Sequence, residues 1–532
     1  MWAFRGTAES VRRRTAAFPV HIGDPVRTFD VVVIGAGPVG ENVADRTAAA
    51  GLDTVIVEAE LVGGECSYWA CEPSKALLRP VLLHAEARDM PGIDPGPLDV
   101  EAVLRHRDRM SSGWDDQPQV RWLEQAGITL VRGHGRLAGP RTVEVTGADG
   151  ETVRLAARHA VALCTGTRAA LPPLPGLAAL RPWTSREATS ATRVPPRLAI
   201  VGGGVVAVEM ATAWQALGSQ VTLLVRESGL LARMEPFAAD LVADALRAAG
   251  VDVRFDTTIA AATRTTDGRS DTTVADTTRT TDVRSDTTVA DAARATGVRL
   301  TLSDGEVLHA DELLLATGRA PRTDDLGLET VGLRPGAWLP CDDTYTVPGV
   351  PGDWLYAVGD VNQRALLTHQ GKYQARIAGT VIADRARNHP LDRGPWSRHT
   401  GTADQVAVPQ VLFADPEIAC VGLTTADAAR LGREVDVVDY DLGLVAGAHQ
   451  HSPGYQGRAR ILLDPARGTL LGATFAGRGV AELLQSATFA ITGEIPLERL
   501  WHAVPAFPTL SEVWLRLLET HRDTAVPLRS GR

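Results

Sequence analysis

Apolar and polar positions fall into blocks along the chain, and the blocks have two textures. After a polar lead, Val31-Val32-Val33-Ile34 is an uninterrupted run rich in β-branched residues, the pattern of a parallel strand buried on both faces. The turn Gly35-Ala36-Gly37-Pro38-Val39-Gly40 follows, then an alanine-rich stretch to Ala50 that reads as a helix, a stop at Gly51, and a strand over 54–57. This is a βαβ unit. The pattern returns at Leu198, with a strand over 198–201, the turn Gly202-Gly203-Gly204-Val205-Val206-Ala207, a helix through Leu217, a stop at Gly218 and a strand over 221–225. Two such units predict two nucleotide-binding domains. Beyond about residue 395 the texture changes. Short strands within 406–417 and at 421–422, 459–463 and 470–475, with helices over 480–491 and 509–518, predict a separate α+β domain.

Two segments stand outside these blocks. Residues 1–29 carry Val11-Arg12-Arg13-Arg14 and then Pro19, His21 and Asp24, without the continuous apolar core of a signal peptide, so a loosely ordered tail is expected. At 263–276 the sequence TRTTDGRSDTTVAD is repeated as TRTTDVRSDTTVAD at 278–291, differing only at Gly268 and Val283. Two copies fall short of the roughly three that a solenoid needs. Thr, Asp and Arg bury little, so the duplication is expected to lengthen a surface hairpin or loop.

Composition narrows the class. The chain has 532 residues, 44% apolar and 22% charged, which fits a soluble globular protein of about three or four domains. The net charge of −10, with no long basic block, argues against nucleic acid or an anionic membrane as partner. No apolar run approaches the roughly 18 residues of a transmembrane helix. Five cysteines are too few for a secreted disulfide framework, so a reducing, cytoplasmic setting is expected.

The chemistry sits at the turns. Gly35, Gly37 and Gly40 allow a tight turn and a close approach of a pyrophosphate to a helix N-terminus. Glu58, ending the next strand, is placed to hold the ribose hydroxyls of a dinucleotide. In the second unit Gly202, Gly204 and Ala207 take the glycine positions, the place of Glu58 is taken by Val225, and Arg226 follows. A carboxylate would repel a 2′-phosphate and a guanidinium binds one, so Arg226, with Arg233 nearby, predicts NADPH over NADH. Directly after the first unit comes Gly63-Gly64-Glu65-Cys66-Ser67-Tyr68-Trp69-Ala70-Cys71-Glu72-Pro73-Ser74-Lys75. Pro73 suits a first helical turn, which puts Cys71 near the positive end of a helix, where a thiolate is stabilised. Cys66, about one turn back, can reach Cys71 to close a disulfide. The rival readings are a zinc pair, which lacks a second Cys/His pair at ligand spacing, and two inert buried thiols.

The redox segment resembles the Cys-x4-Cys-x-Pro-[Ser/Thr]-Lys motif of the FAD-dependent pyridine nucleotide–disulfide oxidoreductases, the class that includes dihydrolipoamide dehydrogenase, glutathione reductase and mercuric reductase. Other matches run along the body. Leu163-Cys164-Thr165-Gly166-Thr167 and Leu315-Ala316-Thr317-Gly318-Arg319 resemble the crossovers between domains. Tyr356-Ala357-Val358-Gly359-Asp360 resembles the second flavin motif, and Pro508-Thr509-Leu510-Ser511-Glu512 the C-terminal active-site segment. The resemblance covers about residues 30–520. It implies an α/β protein with two Rossmann-like domains and a C-terminal α+β dimerisation domain. Their expected bounds are 30–180 with 319–395 for FAD, 181–318 for NAD(P)H, and 396–532 for a homodimer interface. FAD would be held by Gly35, Gly37, Gly40, Glu58, Gly64, Thr165, Gly166, Gly359 and Asp360, and NADPH by the second glycine turn, Arg226, Arg233 and Gly318. Cys71 would face the flavin and Cys66 would be the outer thiol. Lys75 would stand by the flavin, with Glu209 as its buried partner.

The sequence also departs from that family. The histidine that protonates a leaving thiol is replaced by Phe507, although its carboxylate partner Glu512 remains. His502 is the nearest substitute. There is no cysteine after Cys420, and no N-terminal metal-binding module is expected, unlike the mercuric reductase pattern. Tyr68 and Trp69 between the cysteines would be either a stacking platform for a planar acceptor or core filler. Glu72 replaces an apolar residue, and His449 with His451 lacks a third ligand, so no metal site is expected. The electron acceptor is a small molecule: a disulfide, or a metal ion or quinone. Dihydrolipoyl dehydrogenase and a slow flavin redox sensor are the remaining alternatives.

Overall fold

The computed structural model describes residues 26–265 and 297–525. The lead up to residue 25 and most of the duplicated stretch lie outside the described residues. The chain divides into two compact units, one built from residues up to Arg168 with Arg319–Phe413 and everything from Glu417 onward, the other from Ala169–Gly318 with Ala414–Pro416.

The first unit opens with β1 (Arg27–Ile34), α1 (Pro38–Ala49) and β2 (Thr54–Glu58). β1 pairs in parallel with β2, Val31 opposite Thr54 and Val33 opposite Ile56, and on its other edge with Thr152–Leu163. These strands lie in a seven-stranded sheet that also takes in Thr129–Arg132, His134–Leu137, Thr142–Thr146 and Leu355–Ala357. The unbroken apolar run is explained by burial on both faces. Val31 and Val33 pack in a cluster with Val43 and Ala44 of α1 and with Ala375 and Ala378 of the helix Thr368–Ala386. Val32 and Ile34 join a second cluster with Leu155, Val161 and Leu355. After β2 come the short helix α2 (Gly64–Tyr68) and the long helix α3 (Cys71–Asp89).

The same unit carries a five-stranded antiparallel sheet, in the order Gln410–Leu412, Glu417–Gly422, Thr469–Gly477, Arg458–Asp464, Asp436–Asp441. The helix Glu512–Ala525 packs on this sheet through Val513 and Leu517, whose cluster includes Ile461 and Phe475. The sequence pattern predicts that helix from 509; Thr509–Ser511 instead form a turn, so Glu512 stands at its first position. The edge strand Asp436–Asp441 carries three aspartates that mask its period, and Asp439 is tied to Arg458 and Arg460 of its neighbour.

The second unit holds a four-stranded parallel sheet, Asp252–Arg254, Gln220–Leu224, Arg197–Val201 and Glu312–Leu315, with the helix Val205–Ala216 after its glycine turn. A three-stranded antiparallel sheet, Ile259–Thr265, Gly297–Leu302 and Val307–Ala310, completes it. The two ends of this unit meet: the Ala170 N–H donates to Gly318 O at 2.9 Å, and the Thr317 hydroxyl donates to Ala170 O at 2.7 Å.

Candidate active site

The first glycine turn is shaped by contacts that exclude side chains. Gly35 has φ +98°, and a Cβ there would lie 2.5 Å from Cys164 O. A Cβ on Gly40 would fall 1.8 Å from Gly35 O. Gly64 faces the same turn, its Cβ position 2.8 Å from Gly37 Cα, and the Gly63 N–H donates to Ala36 O at 2.7 Å. The dinucleotide turn and the start of the redox segment are therefore in van der Waals contact. α1 begins without a side-chain cap, leaving the helix N-terminus free for an anion. Glu58 accepts the Ala36 N–H at 2.7 Å and the Glu60 N–H at 2.8 Å, and burial raises its pKa. Thr165 Oγ1 and Glu41 Oε1 are buried without a hydrogen-bond partner among the described residues. Burial pushes the Glu41 carboxyl up to about 7, against the pull of Lys372. An open anion-binding terminus, a glycine cradle and two unpaired buried oxygens fit a polar dinucleotide such as FAD.

Cys71 is the first residue of α3, and Cys66 lies in α2. Both are free thiols, and they are hydrogen-bonded to one another. The bond to Cys71 raises the Cys66 thiol well above its ordinary range, and burial and the Glu72 carboxylate add to it. Cys71 Sγ also lies 3.2 Å from the hydroxyl of Thr368, which opens the helix Thr368–Ala386. Lys75, one turn into α3, has its ammonium 5.1 Å from the Phe413 ring centroid. Tyr68 is fully buried and donates to Val62 O at 3.1 Å, so it fills space and offers no stacking platform. Trp69 meets it edge-on with ring centroids 5.7 Å apart.

Glu65, next to Cys66, is clamped by Arg319 at 2.6 Å and Arg322 at 2.8 Å. Burial disfavours its charge, but the two guanidinium groups outweigh that and hold the carboxyl below its usual range. Arg319 also donates to the Thr167 hydroxyl and carbonyl, each at 2.9 Å, and the Thr167 hydroxyl donates to Asp360 at 3.0 Å. Burial raises the Asp360 pKa. Gly359, with φ +83°, donates its N–H to Gln374 at 2.7 Å. One chain of contacts thus joins the redox segment to Asp360, at the end of the Tyr356-Ala357-Val358-Gly359-Asp360 segment.

In the second unit Gly202 has φ +129°, and its Cβ position lies 2.3 Å from Ala316 O. Gly204 and Gly318 face open space, and Ala207 and Val225 are buried. Glu209 is buried on the helix Val205–Ala216. Arg226 is 79% exposed and paired with Glu227 at 2.6 Å, whereas Arg233 is exposed and has no ion pair among the described residues.

Near the C-terminus Glu512 is buried and accepts the Gly447 N–H at 3.3 Å. Phe507 is 76% exposed. His502 is exposed and makes no hydrogen bond to Glu512, so the displaced histidine is not brought to the surviving carboxylate within this chain. His449 and His451 end a short helix, and no group of three or more His, Cys, Asp or Glu among the described residues is placed to hold a metal. No helix among the described residues is long and apolar enough to cross a membrane.

Comparison with known proteins bears on this geometry. The family model for pyridine nucleotide-disulphide oxidoreductase matches residues 29–378, and the dimerisation domain of the same family matches 408–517. The chain belongs to this family. It is 30% identical to dihydrolipoyl dehydrogenase 3 of Pseudomonas aeruginosa over 92% of this chain and 96% of that one. It is 29% identical to the dihydrolipoyl dehydrogenase of Haloferax volcanii, over 95% and 98%. It is 31% identical to a mercuric reductase of Acidithiobacillus ferrooxidans, over 91% and 80%. In fold it is similar to the HOCl-induced flavoprotein disulfide reductase RclA of Escherichia coli, with TM-score 0.74 and 21% identity over 92% of this chain and 99% of that one.

This pyridine nucleotide–disulphide oxidoreductase is therefore a flavoprotein enzyme using FAD and a pyridine nucleotide. Sequence reasoning missed Glu65, Thr167, Arg319, Arg322 and Thr368 as members of the site. Glu65 carried a signal as a charge set beside a cysteine, and Thr167 and Arg319 as the last residues of the two crossover motifs; Arg322 and Thr368 carried none.

Proposed function

We propose that the enzyme moves two electrons from NAD(P)H to the Cys66/Cys71 pair and on to a small-molecule acceptor. The observation that carries this reading is Cys71 at the first position of α3, hydrogen-bonded to Cys66. Bound FAD would supply the link between a hydride donor and a dithiol. The protein's own part is to set the charge on the sulfurs. Two electrons and one proton cleave a Cys66–Cys71 disulfide to a Cys66 thiol and a Cys71 thiolate. When the acceptor takes two electrons the S–S bond reforms, and the Cys66 proton passes to acceptor or solvent. The helix N-terminus favours the anion at Cys71, while the raised Cys66 thiol keeps its proton.

For the acceptor we favour one that needs no protonated thiol leaving group, such as a quinone or a thiophilic metal ion. Phe507 cannot donate a proton, and Glu512 is engaged with Gly447. The names of the relatives favour dihydrolipoamide as a second reading. We further propose a preference for NADPH. Val225 offers no carboxylate to the ribose, and Arg226 and Arg233 can meet a 2′-phosphate, although Glu227 must first release Arg226. The dimerisation domain and the exposed Val504, Phe507 and Phe489 support a homodimer, and a thiol-based reductase fits the cytoplasm.

The test is anaerobic reduction by NADPH or NADH, followed by a panel of lipoamide, glutathione disulfide, quinones and Hg(II). Turnover with quinone or metal that is lost in Cys66→Ser supports the reading. Fast lipoamide turnover with NADH and none with NADPH overturns it.

A further inference from the structure

A buried carboxylate that none of the sequence motifs brought in stands behind Gly359 and Asp360. Asp404 lies in the short helix Ala403–Val406, and its side chain is 1% exposed. It accepts three hydrogen bonds. Gln370 Nε2 donates to Oδ1 at 2.6 Å, and Gln374 Nε2 and the Tyr345 hydroxyl donate to Oδ2 at 3.0 and 2.9 Å. Arg364 Nη1 lies 4.0 Å from Oδ2. The backbone is strained to build this arrangement. Tyr345 is fully buried with φ +64°, in the left-handed region that a bulky residue rarely adopts. A Cβ at Gly401 would strike the Tyr345 hydroxyl, so a glycine there leaves that hydroxyl its place beside Asp404.

The direction of these bonds is set at the far end of Gln374. Its Oε1 accepts the Gly359 N–H at 2.7 Å and the Asn362 side-chain N–H at 2.8 Å, and Asn362 Nδ2 also donates to Ala357 O at 3.1 Å. A backbone N–H can only donate, so the Gln374 amide turns its oxygen toward Gly359 and its NH2 toward residue 404. Residue 404 must then accept. An ionised carboxylate accepts at both oxygens and donates at neither, so it suits both glutamines and the tyrosine together. We infer that Asp404 is a positioning residue for the flavin site, acting through Gln374. It locks that amide in the orientation that holds the Gly359 N–H, and so sets the turn that presents Asp360. Gly359 has φ +83°, and Gln374 removes the freedom that a glycine would otherwise keep there. From the other side the Thr167 hydroxyl holds the Asp360 carboxylate at 3.0 Å. Asp404 is 30 residues from Gln374 and 59 from Tyr345, which puts the relay beyond any local motif.

This inference rests on Gly359 and Asp360 forming part of the FAD site, and the experiment separates the two. FAD release from diluted holoenzyme is timed by flavin fluorescence, at a temperature where circular dichroism shows the fold intact. Hydrogen exchange of the peptide that contains Gly359 is followed in parallel. Asp404→Asn keeps the size of the side chain but sets an NH2 against an arriving donor. It is expected to speed both FAD release and Gly359 exchange about tenfold, the loss of one hydrogen bond to a charged group. Gln374→Glu alone sets two carboxylates face to face and is expected to do the same. The double variant Asp404→Asn/Gln374→Glu reverses the relay. The new carboxylate accepts from Gly359 and from the new amide, Gln370 still donates to the remaining oxygen at 404, and the Tyr345 hydroxyl turns to accept. Its release rate is expected to return to within about threefold of wild type. Either single variant suffices for the comparison if the other does not fold. If the single variants release FAD as slowly as wild type, or the double variant is no better than the worse of them, Asp404 does not orient Gln374 and the inference fails. Asp360→Ala tests the reading beneath it: release as slow as wild type there means that the turn is no part of the FAD site, and that reading fails whatever Asp404 does.

Discussion

Glu65→Gln tests the clamp beside the redox pair. The carboxylate is 18% exposed, Arg319 24% and Arg322 36%, so the cluster lies between a surface pair and a buried one. Breaking a fully buried pair costs about 3–5 kcal/mol, and a surface pair contributes about 0–1. Discounting for the partial exposure, and allowing the amide to keep one arginine as donor, the loss is about 2 kcal/mol. For a unit of this size that is a fall of a few degrees in Tm. The pH dependence follows from the direction of the shift. A carboxyl whose folded pKa is lowered contributes fully above its unfolded pKa of about 4.3 and loses that contribution as pH falls through the folded value. The difference between wild type and variant should be constant from pH 8 to 6 and shrink as the solution becomes strongly acidic. Melting of the holoenzyme is followed by circular dichroism, with flavin fluorescence reporting cofactor release. Because Arg319 also holds Thr167, and Thr167 holds Asp360, release should come at lower temperature in the variant. A variant that melts with wild type at pH 7, or a gap that widens steadily on acidification, would refute the assignment of the clamp.

Other outcomes follow from the same geometry. Phe507→His should raise kcat with a disulfide substrate by about tenfold or more, read in steady state, since a missing general acid is worth about 10²–10⁴; no gain means proton donation does not limit that reaction. Arg226→Ala should raise KM for NADPH by about tenfold and leave KM for NADH unchanged, the lower end of a charged hydrogen bond because Glu227 competes for the guanidinium. Glu41→Gln should stabilise the protein at pH 8 and have little effect near pH 4. The carboxyl titrates at about 7 in the fold, so wild type loses stability as pH rises from the unfolded value to about 7, and an amide avoids that loss; thermal melts across pH check it.

What was legible in the sequence was what is local. The βαβ turns could be read because Gly35, Gly40 and Gly202 sit where a Cβ would strike a carbonyl a few ångströms away, and that demand is written at the glycine itself. The place of Cys71 followed from Pro73 two positions on. Glu65 could not be paired from sequence, since Arg319 is 254 residues away, and Thr368 is farther still. Tyr68 and Trp69 looked alike as neighbours on one segment. The break between α2 and α3 sends the first into the core and leaves the second half-buried.

The ends of the second unit, Ala170 and Gly318, are one hydrogen bond apart. In the first unit, the Arg322 N–H donates to Gly166 O at 3.1 Å. The stretch Ala169–Gly318 is thus a long insertion whose two ends lie side by side, with Ala414–Pro416 joining the same unit from later in the chain. An insertion with paired ends can be replaced by another of similar span without moving the strands that flank it, so the two units can change independently in evolution.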